Sequence, residues 1–290
     1  TNKAAAEMRE RVEALIGASS EGMWIKTFHS ACLQILRREA DRLGHDSNFT
    51  VYDTGDTRAL LKRLINQSGA DVSDLKPAQV AAQISKSKNE LKGPEDFAGQ
   101  VDSRNPKQVL VAEIFERYQQ ELLRNNAFDF DDLIGETVHL FRAFPEVAAA
   151  YRKRFRHILV DEYQDTNRAQ YELIFELTRP IPAEYADSTT GEIPPPATIT
   201  VVGDADQSIY AFRGADIRNI SEFAKDFAGA ETILLEQNYR SSQNILTAAN
   251  AVISKNFDRP EKNLWTDAGS GEKVVSFTAT DERTEAAFIV

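Results

Sequence analysis

Two acidic residues, Asp161 and Glu162, stand side by side at the end of a short apolar run. The run is rich in large and β-branched side chains over 157–160, which is typical of a buried strand. Such a pair suits hydrolysis of a nucleoside triphosphate, because one carboxylate can hold Mg²⁺ while its neighbour orients and deprotonates the attacking water. Capping of the following helix is the competing interpretation, and the pair alone does not decide between the two.

Two more polar clusters follow apolar runs later in the chain. Residues 198–202 precede the cluster 204–207, and residues 232–236 precede the cluster 238–240. In an open sheet of parallel strands, ligands bind beyond the carboxyl ends of the strands. Three polar strand ends therefore indicate one shared site.

Helical patterns separate these predicted strands, around 167–179, 216–227 and 241–255. Strands that alternate with helices predict an α/β fold with a parallel sheet covered on both faces. A further strand is predicted at 273–278. Residues 180–197 hold five of the ten prolines and are predicted to form a surface loop.

The first half of the chain is predicted to be largely helical. Apolar residues recur at helical spacing in 3–16, 28–43 and 129–153, whereas 49–52 is predicted to be a short extended piece. Residues 56–125 are helical except at their Gly-Pro and Asn-Pro breaks and at a single proline. We therefore expect an inserted helical subdomain there.

The composition excludes several classes of protein. The single cysteine, Cys32, leaves no partner for an internal disulfide, which suits the reducing cytoplasm, and we expect it in the core. The four histidines lack the spacing of zinc ligands. No apolar run is long enough to cross a membrane.

The net charge of −11 argues against a broad basic surface that coats DNA. Residues 1–157 carry 23 basic and 23 acidic side chains, and the remaining residues carry 11 and 22, so the second part holds the whole excess. Any contact with nucleic acid must therefore be a local groove, where a few arginines and aromatic rings can hold a single strand.

The motifs around these clusters occur in an order that closely resembles superfamily 1 helicases of the UvrD/Rep/PcrA group, over essentially the whole chain. They are Thr1-Asn-Lys-Ala-Ala, Thr27-Phe-His-Ser30, Phe128-Asp-Phe-Asp-Asp-Leu133, Asp161-Glu-Tyr-Gln-Asp-Thr-Asn167, Val202-Gly-Asp-Ala-Asp-Gln-Ser-Ile-Tyr-Ala-Phe-Arg-Gly214, Asn238-Tyr-Arg-Ser241, Leu264-Trp-Thr and Asp281-Glu-Arg-Thr-Glu-Ala286.

The resemblance implies a fold of the P-loop NTPase type, in which helices flank a RecA-like parallel sheet. Residues 1–45 and 128–235 would form the two parts of the first RecA-like motor domain. Residues 46–127 would be the inserted all-helical subdomain, and 236–290 the start of a second RecA-like domain. The cleft between the two motor domains would close and open with each ATP.

The resemblance also implies roles at an ATP site. Asp161 would hold Mg²⁺, Glu162 would act as the general base, and Gln207 would sense the γ-phosphate. Arg240 would serve as an arginine finger, a role suited to a fixed and always charged group. Tyr239 would stack on adenine. The competing interpretations are a surface ion pair for Arg240 and a core aromatic for Tyr239.

Six residues match positions that contact DNA in the family. They are Asn2, Thr27, His29, Tyr210, Phe212 and Arg213. The two rings at 210 and 212 would lie on one side of an extended segment, as a platform on which bases stack without being read. The position of Phe212 is often tryptophan in the family. A helix-capping or core histidine is the competing interpretation of His29.

No phosphate-binding loop of the form Gly-x-x-x-x-Gly-Lys-Ser/Thr occurs in the 290 residues. In the family that loop lies upstream of the Thr1-Asn-Lys motif, and the last motifs would follow Val290. We therefore expect a fragment of an enzyme that uses ATP and Mg²⁺ to move 3′ to 5′ along single-stranded DNA. The expected partners are single strands, single–double strand junctions, and repair or replication proteins. The fragment alone should not hydrolyse ATP.

Two other functions stay open from the sequence: a non-catalytic DNA-binding or docking module, and the motor part of a helicase–nuclease. The acidic residues Asp129, Asp131 and Asp132 could hold a nuclease metal, although capping of the following helix is favoured. The loop-like run 269–273 resembles a phosphate loop but lacks its Lys-Ser/Thr, and it is predicted to be a turn.

Overall fold

A computed structural model describes residues 1–69, 75–186, 188–211, 214–256 and 262–290. These residues form two compact units. The first unit contains 1–204 and 208–220, and the second contains 205–207 and 221–290.

The elements of the chain are mainly α-helices with a few short strands. The helices are α1 (Asn2–Ile16), α2 (Phe28–Glu39), α3 (Thr54–Gln67), α4 (Pro77–Asn89), α5 (Pro94–Gly99), α6 (Pro106–Arg124), α7 (Phe130–Ala143), α8 (Pro145–Arg154), α9 (Arg168–Thr178), α10 (Arg218–Ser221), α11 (Phe223–Asp226), α12 (Gln243–Ile253) and α13 (Glu282–Ile289). The strands are β1 (Thr50–Tyr52), β2 (Ala127–Asp129), β3 (His157–Val160) and β4 (Thr198–Val201).

Proline sets the first residue of four helices. Pro77, Pro94, Pro106 and Pro145 begin α4, α5, α6 and α8. Proline is well tolerated there because the first amides of a helix have no partner within it, and its fixed φ is already helical. The helical breaks predicted within 56–125 are therefore confirmed.

The main core of the first unit lies among α2, α7, α8 and α9. Fully buried side chains from these helices include Leu36, Leu140 and Ala148. Cys32 belongs to the same core with no exposed surface, as its apolar neighbours predicted. Burial raises the pKa of its thiol to about 12, so Cys32 behaves as a small apolar residue.

Helices α3 to α6, hereafter the helical layer, enclose a second core. The members with no exposed surface are Leu61, Val80, Phe115 and Tyr118 from the helices and Ala127 from β2. A set of helices with its own core can hold its shape while it moves against its neighbours. The helical layer can therefore shift as a unit at its contacts with the rest of the first unit.

Two small parallel sheets complete the first unit as far as the structure describes it. β1 pairs with β2, and β3 pairs with β4 in a register that places His157 opposite Thr198 and Val160 opposite Val201. The chain is thus an α/β protein, and the parallel pairing of β3 with β4 was predicted, whereas the pair of β1 and β2 was not. On the second sheet Val160 is buried whereas Leu159 is 76% exposed, because successive side chains point to opposite faces.

Two predicted strands are wrong. Residues 232–236 and 273–278 form no strand, and Ile233 and Val275 are 74% and 76% exposed. A β-branched run becomes a strand only when a neighbour supplies hydrogen bonds and a face to pack on. In the described part of the second unit, pairing is limited to a bridge between Gln237 and Trp265. The cluster 238–240 therefore follows this bridge and not a strand end.

In the second unit, hydrogen bonds join the start of α12 to the loop that contains Gly269 and Gly271. The amide of Gln243 donates to the carbonyl of Gly269 (2.9 Å), and the side chain of Asn244 donates to the carbonyl of Gly271 (3.1 Å). A Cβ on Gly271 would lie 2.2 Å from Oγ of Ser242, so this approach requires glycine. Residues 269–273 form an irregular loop in which Gly269 and Gly271 have positive φ.

The proline-rich residues 180–186 and 188–197 form a surface loop, as predicted, with one short 3₁₀ turn at Ala183–Tyr185. Ile181 anchors its start in the core, and Arg156 donates to the carbonyl of Pro195 near its end. Among the described residues, no helix has the length and apolar character needed to cross a membrane.

Candidate functional site

The turn that follows β3, residues 161–167, carries the two acids and is hereafter the acidic turn. Asp161 and Glu162 are both exposed, just beyond the buried end of the strand. Neither of them caps α9. That role belongs to Asn167, whose side chain accepts a hydrogen bond from the amide of Gln170 (2.9 Å). The two carboxylates are therefore free of the capping role that was their competing interpretation.

Glu162 adopts a left-handed backbone conformation with φ of 52°. This region is uncommon for a residue with a side chain and costs about 1–2 kcal/mol, so the neighbouring contacts must hold it. The next amide, that of Tyr163, donates to the carbonyl of Val202 (3.0 Å). Strain of this kind is concentrated at functional sites.

Gln164 holds the acidic turn against the segment that follows β4. It is buried, its Nε2 donates to Oε2 of Glu162 (2.7 Å), and its Oε1 accepts from the amide of Asp204 (3.0 Å). A Cβ on Gly203 would lie 2.6 Å from the same Oε1, so a larger residue there would displace Gln164. This role of Gln164 was not predicted from the sequence, although Gln164 lies inside the recognised motif.

Gln207, Tyr239 and Arg240 belong to the second unit. Gln207 is the exposed last residue of a 3₁₀ turn whose half-buried middle residue, Asp206, pairs with Lys262 (3.3 Å). The ring of Tyr239 is 84% exposed, and its hydroxyl donates to Oε1 of Gln237 (2.8 Å). Tyr239 is thus not a core aromatic but a ring whose faces can be stacked upon.

Arg240 presents its guanidinium to solvent. Among the described residues, no carboxylate lies within ion-pairing distance of it, so the surface ion pair is not observed. Its backbone amide and that of Ser241 both donate to Oδ1 of Asn238 (2.9 and 2.8 Å). This turn fixes the backbone while the charged group stays available for an anion.

Asn2 and Thr27 meet at the start of α2. Thr27 caps the helix by accepting from the amide of Ser30 (3.3 Å), and Oδ1 of Asn2 accepts from both hydroxyls (3.2 and 3.1 Å). The exposed amide of Asn2 and the half-buried hydroxyls of Thr27 and Ser30, at a helix start, suit a phosphate or a sugar.

His29 lies half-buried in the first turn of the same helix. Its ring meets that of Phe130 edge to face, with the ring centroids 6.1 Å apart. Burial lowers the pKa of His29 below its ordinary value, and Asp131 only partly opposes this, so the ring is neutral at pH 7. Tyr210 is half-buried in the first unit. Phe212 and Arg213 lie outside the described residues.

The acidic residues at the start of α7 form a capping box, so the capping prediction is confirmed. The side chain of Asp129 accepts from the amide of Asp132 (2.9 Å), and Asp132 accepts from the amide of Asp129 (3.0 Å). Lys88, which the sequence analysis missed, reaches both carboxylates at 2.6 and 2.8 Å. In the described chain, no group of three metal-binding side chains is placed to hold an ion.

The Lys88 cluster, formed by Lys88, Asp129, Asp132 and Tyr118, is buried between the helical layer and α7. Burial alone would lower the pKa of Lys88, but the two carboxylates raise it, so the ammonium stays charged. Burial and the charge of Asp129 raise the pKa of Asp132 to about 7. The pKa of Asp129 is lowered: burial opposes this, but the charge and hydrogen bond of Lys88 outweigh it.

This arrangement predicts that the contribution of Asp132 to the free energy of unfolding decreases as the pH rises towards 8. The unfolded carboxyl loses its proton near 3.8 and the folded one near 7, so the stabilisation is complete below 3.8 and is lost as the pH rises through 7. Urea unfolding of the chain between pH 5 and 8 checks this, with Asp132→Asn as the matched control. A difference between the two proteins that is constant with pH would contradict it.

Comparison with protein-family models shows the class of protein to which the chain belongs. The chain belongs to the UvrD/REP helicase family: the model of the UvrD/REP helicase N-terminal domain matches residues 1–228, and that of the UvrD-like helicase C-terminal domain matches residues 233–290. The sequence-based assignment to this family is confirmed.

Curated relatives are similar over the whole chain. The ATP-dependent DNA helicase UvrD1 of Mycobacterium bovis is 53% identical over 291 residues, and that of Mycobacterium leprae is 50% identical over 292 residues. The ATP-dependent DNA helicase PcrA of Staphylococcus aureus is 46% identical over 290 residues. In each case the match covers 100% of this chain and 37% of the relative.

Proposed function

We propose that this chain is part of an ATP-dependent DNA helicase that couples ATP hydrolysis to 3′-to-5′ movement along single-stranded DNA in repair or replication. The observation that carries the proposal is the acidic turn. Two exposed carboxylates stand beyond the buried last residue of β3, in a strained turn that Gln164 holds, and neither is used to cap a helix. The names of the relatives supply the reaction that such a turn would perform.

The side chains of the acidic turn fit ATP with Mg²⁺. Carboxylate oxygens are the ligands that Mg²⁺ prefers, and Asp161 is exposed to receive it. Bound Mg²⁺ would neutralise charge on the phosphates. Glu162 would then take the proton of the attacking water, with Gln164 orienting its carboxylate through the 2.7 Å hydrogen bond.

Three residues of the second unit also have proposed roles in ATP hydrolysis. Tyr239 would stack on adenine, for which its exposed ring is suited. Arg240 would stabilise the charge that develops on the transferred phosphoryl group, and Gln207 would contact the γ-phosphate. The exposed guanidinium of Arg240 supports this role, because an internal ion pair would compete with the phosphates.

The proposed DNA contacts lie at the start of α2 and after β4. Asn2, Thr27 and His29 would contact the strand, and the neutral ring of His29 suits stacking or hydrogen bonding to a base. The aromatic platform at 210–213 would hold the bases. Single–double strand junctions and repair or replication proteins are the proposed partners.

The proposed domain organisation follows the family. Residues 1–45 and 128–235 would be the first RecA-like motor domain, 46–127 an inserted helical subdomain, and 236–290 the start of the second motor domain. The separate core of the helical layer supports the second assignment.

The experiment is a comparison of ATP hydrolysis by the full-length gene product and by these 290 residues, with and without single-stranded DNA. We expect DNA to stimulate the full-length protein. We expect no turnover by the 290 residues alone, since their sequence contains no phosphate-binding lysine loop.

Two results would contradict the proposal. A full-length protein that binds DNA but hydrolyses no ATP would be a docking module instead. Steady turnover by the 290 residues would show that they hold the phosphates by other groups.

A further inference from the structure

Asn89, the last residue of α4, connects the helical layer to the acidic turn. Its Oδ1 accepts a hydrogen bond from Nδ2 of Asn167, the residue that ends the acidic turn (2.5 Å). Its Nδ2 donates to Oδ1 of Asp131 on α7 (2.9 Å) and to the carbonyl of Ser85 (2.8 Å). One half-buried amide thus joins α4 to two other elements, the acidic turn and α7.

The end of α4 that carries Asn89 is held in place by its neighbour. Lys88 is buried and pairs with both Asp129 and Asp132 at the start of α7. Tyr118 of α6 donates to the same oxygen of Asp129 (2.9 Å). The Lys88 cluster therefore fixes the end of α4 that carries Asn89 against the start of α7.

Asn167, the other partner in this hydrogen bond, is also fixed by its neighbours. While its amide donates to Asn89, its Oδ1 caps α9 by accepting from Gln170. The residue before it, Thr166, accepts from the side chain of Asn219 through both its carbonyl (3.0 Å) and its hydroxyl (3.1 Å). A shift of Asn89 would thus reach the acidic turn through one side chain.

We propose that Asn89 is a positioning residue, through which the helical layer sets the geometry of the acidic turn and hence the rate of ATP hydrolysis. The inference rests on the proposed function, because the turn that Asn89 positions carries Glu162. Two packed bodies joined by directional hydrogen bonds can pass a displacement from one to the other. Movement of the helical layer would then change catalysis without any contact with the nucleotide.

The test compares Asn89→Ala with Asn66→Ala in the full-length protein. Asn66 is an exposed residue of α3 in the same helical layer, so it controls for loss of an amide there. We expect Asn89→Ala to lower the DNA-stimulated kcat about fivefold, within the range of coupled positions. The KM for ATP should not change, since Asn89 is proposed not to touch the nucleotide. Asn66→Ala should behave as the wild type.

Asn167→Asp supplies the second variant. Aspartate caps a helix as well as asparagine does, so α9 should stay intact while the donor to Asn89 is lost. We expect its effect and that of Asn89→Ala to be non-additive, because both remove the same bond. Equal thermal unfolding midpoints for Asn89→Ala and Asn66→Ala would exclude general destabilisation as the cause.

Hydrogen exchange separates this inference from the proposed function. We expect amides of 163–168 to exchange faster in Asn89→Ala than in Asn66→Ala, whether or not the protein hydrolyses ATP. Unchanged exchange, or an active wild type with unchanged kcat in Asn89→Ala, would overturn the positioning role. A third result is possible: the wild type hydrolyses no ATP, but the amides of 163–168 still exchange faster in Asn89→Ala. This result would overturn the proposed function and the effect on catalysis, while the physical link between Asn89 and the acidic turn would stand.

Discussion

Replacing Glu162 by glutamine in the full-length protein is expected to lower the DNA-stimulated kcat about a thousandfold, the usual size of a general-base contribution. Glutamine keeps the shape of the side chain and can still accept from Gln164, so the acidic turn should keep its conformation. It cannot take a proton from water. Steady-state ATP hydrolysis with saturating single-stranded DNA measures the effect.

The control for this substitution is Glu192→Gln, which removes the same charge from the exposed proline-rich loop. It should leave kcat unchanged. Both variants should bind single-stranded DNA with the affinity of the wild type, since neither residue is among the proposed DNA contacts. A Glu162→Gln protein with more than about a tenth of the wild-type kcat would show that another group acts as the base.

The acidic turn could be located from sequence because its signal is local. An apolar run followed at once by Asp161 and Glu162 needs no knowledge of distant residues, and β3 ends where that pattern predicts. The support of the turn was not predicted. Gln164 and Gly203 are far apart in the chain and meet only because β3 and β4 pair in parallel, and sequence patterns do not give such contacts.

The role of Lys88 was not predicted for the same reason, because its partners are distant from it in the chain. A lysine in a helical pattern is usually solvated, and nothing near position 88 shows that Asp129 and Asp132 will surround it. The wrong strand at 232–236 shows the opposite failure. Its apolar residues have the composition of a strand, but in the described chain no neighbouring strand pairs with them.

The largest effect on stability is expected for Lys88→Met. Methionine fills a similar volume but leaves Asp129 and Asp132 buried without a counter-ion, which typically costs about 3–5 kcal/mol. The matched control is Lys86→Met, an exposed lysine of the same helix, which should change the free energy of unfolding by less than about 0.5 kcal/mol. Urea unfolding of the 290-residue chain measures both.

Fluorescence can restrict that measurement to the first unit. The chain has two tryptophans, so a Trp265→Phe background leaves Trp24, which packs against the main core, as the reporter. The deficit of Lys88→Met should be larger at pH 8 than at pH 5, because at the lower pH the buried carboxyls can bind protons and become neutral. Equal deficits at the two pH values would show that Lys88 contributes packing and hydrogen bonds, and that its charge does not stabilise the fold. If the charge of Lys88 joins the helical layer to α7, the contact between them should weaken in Lys88→Met as the pH rises. The position of the acidic turn, which Asn89 connects to the helical layer, would then depend on the stability of that contact.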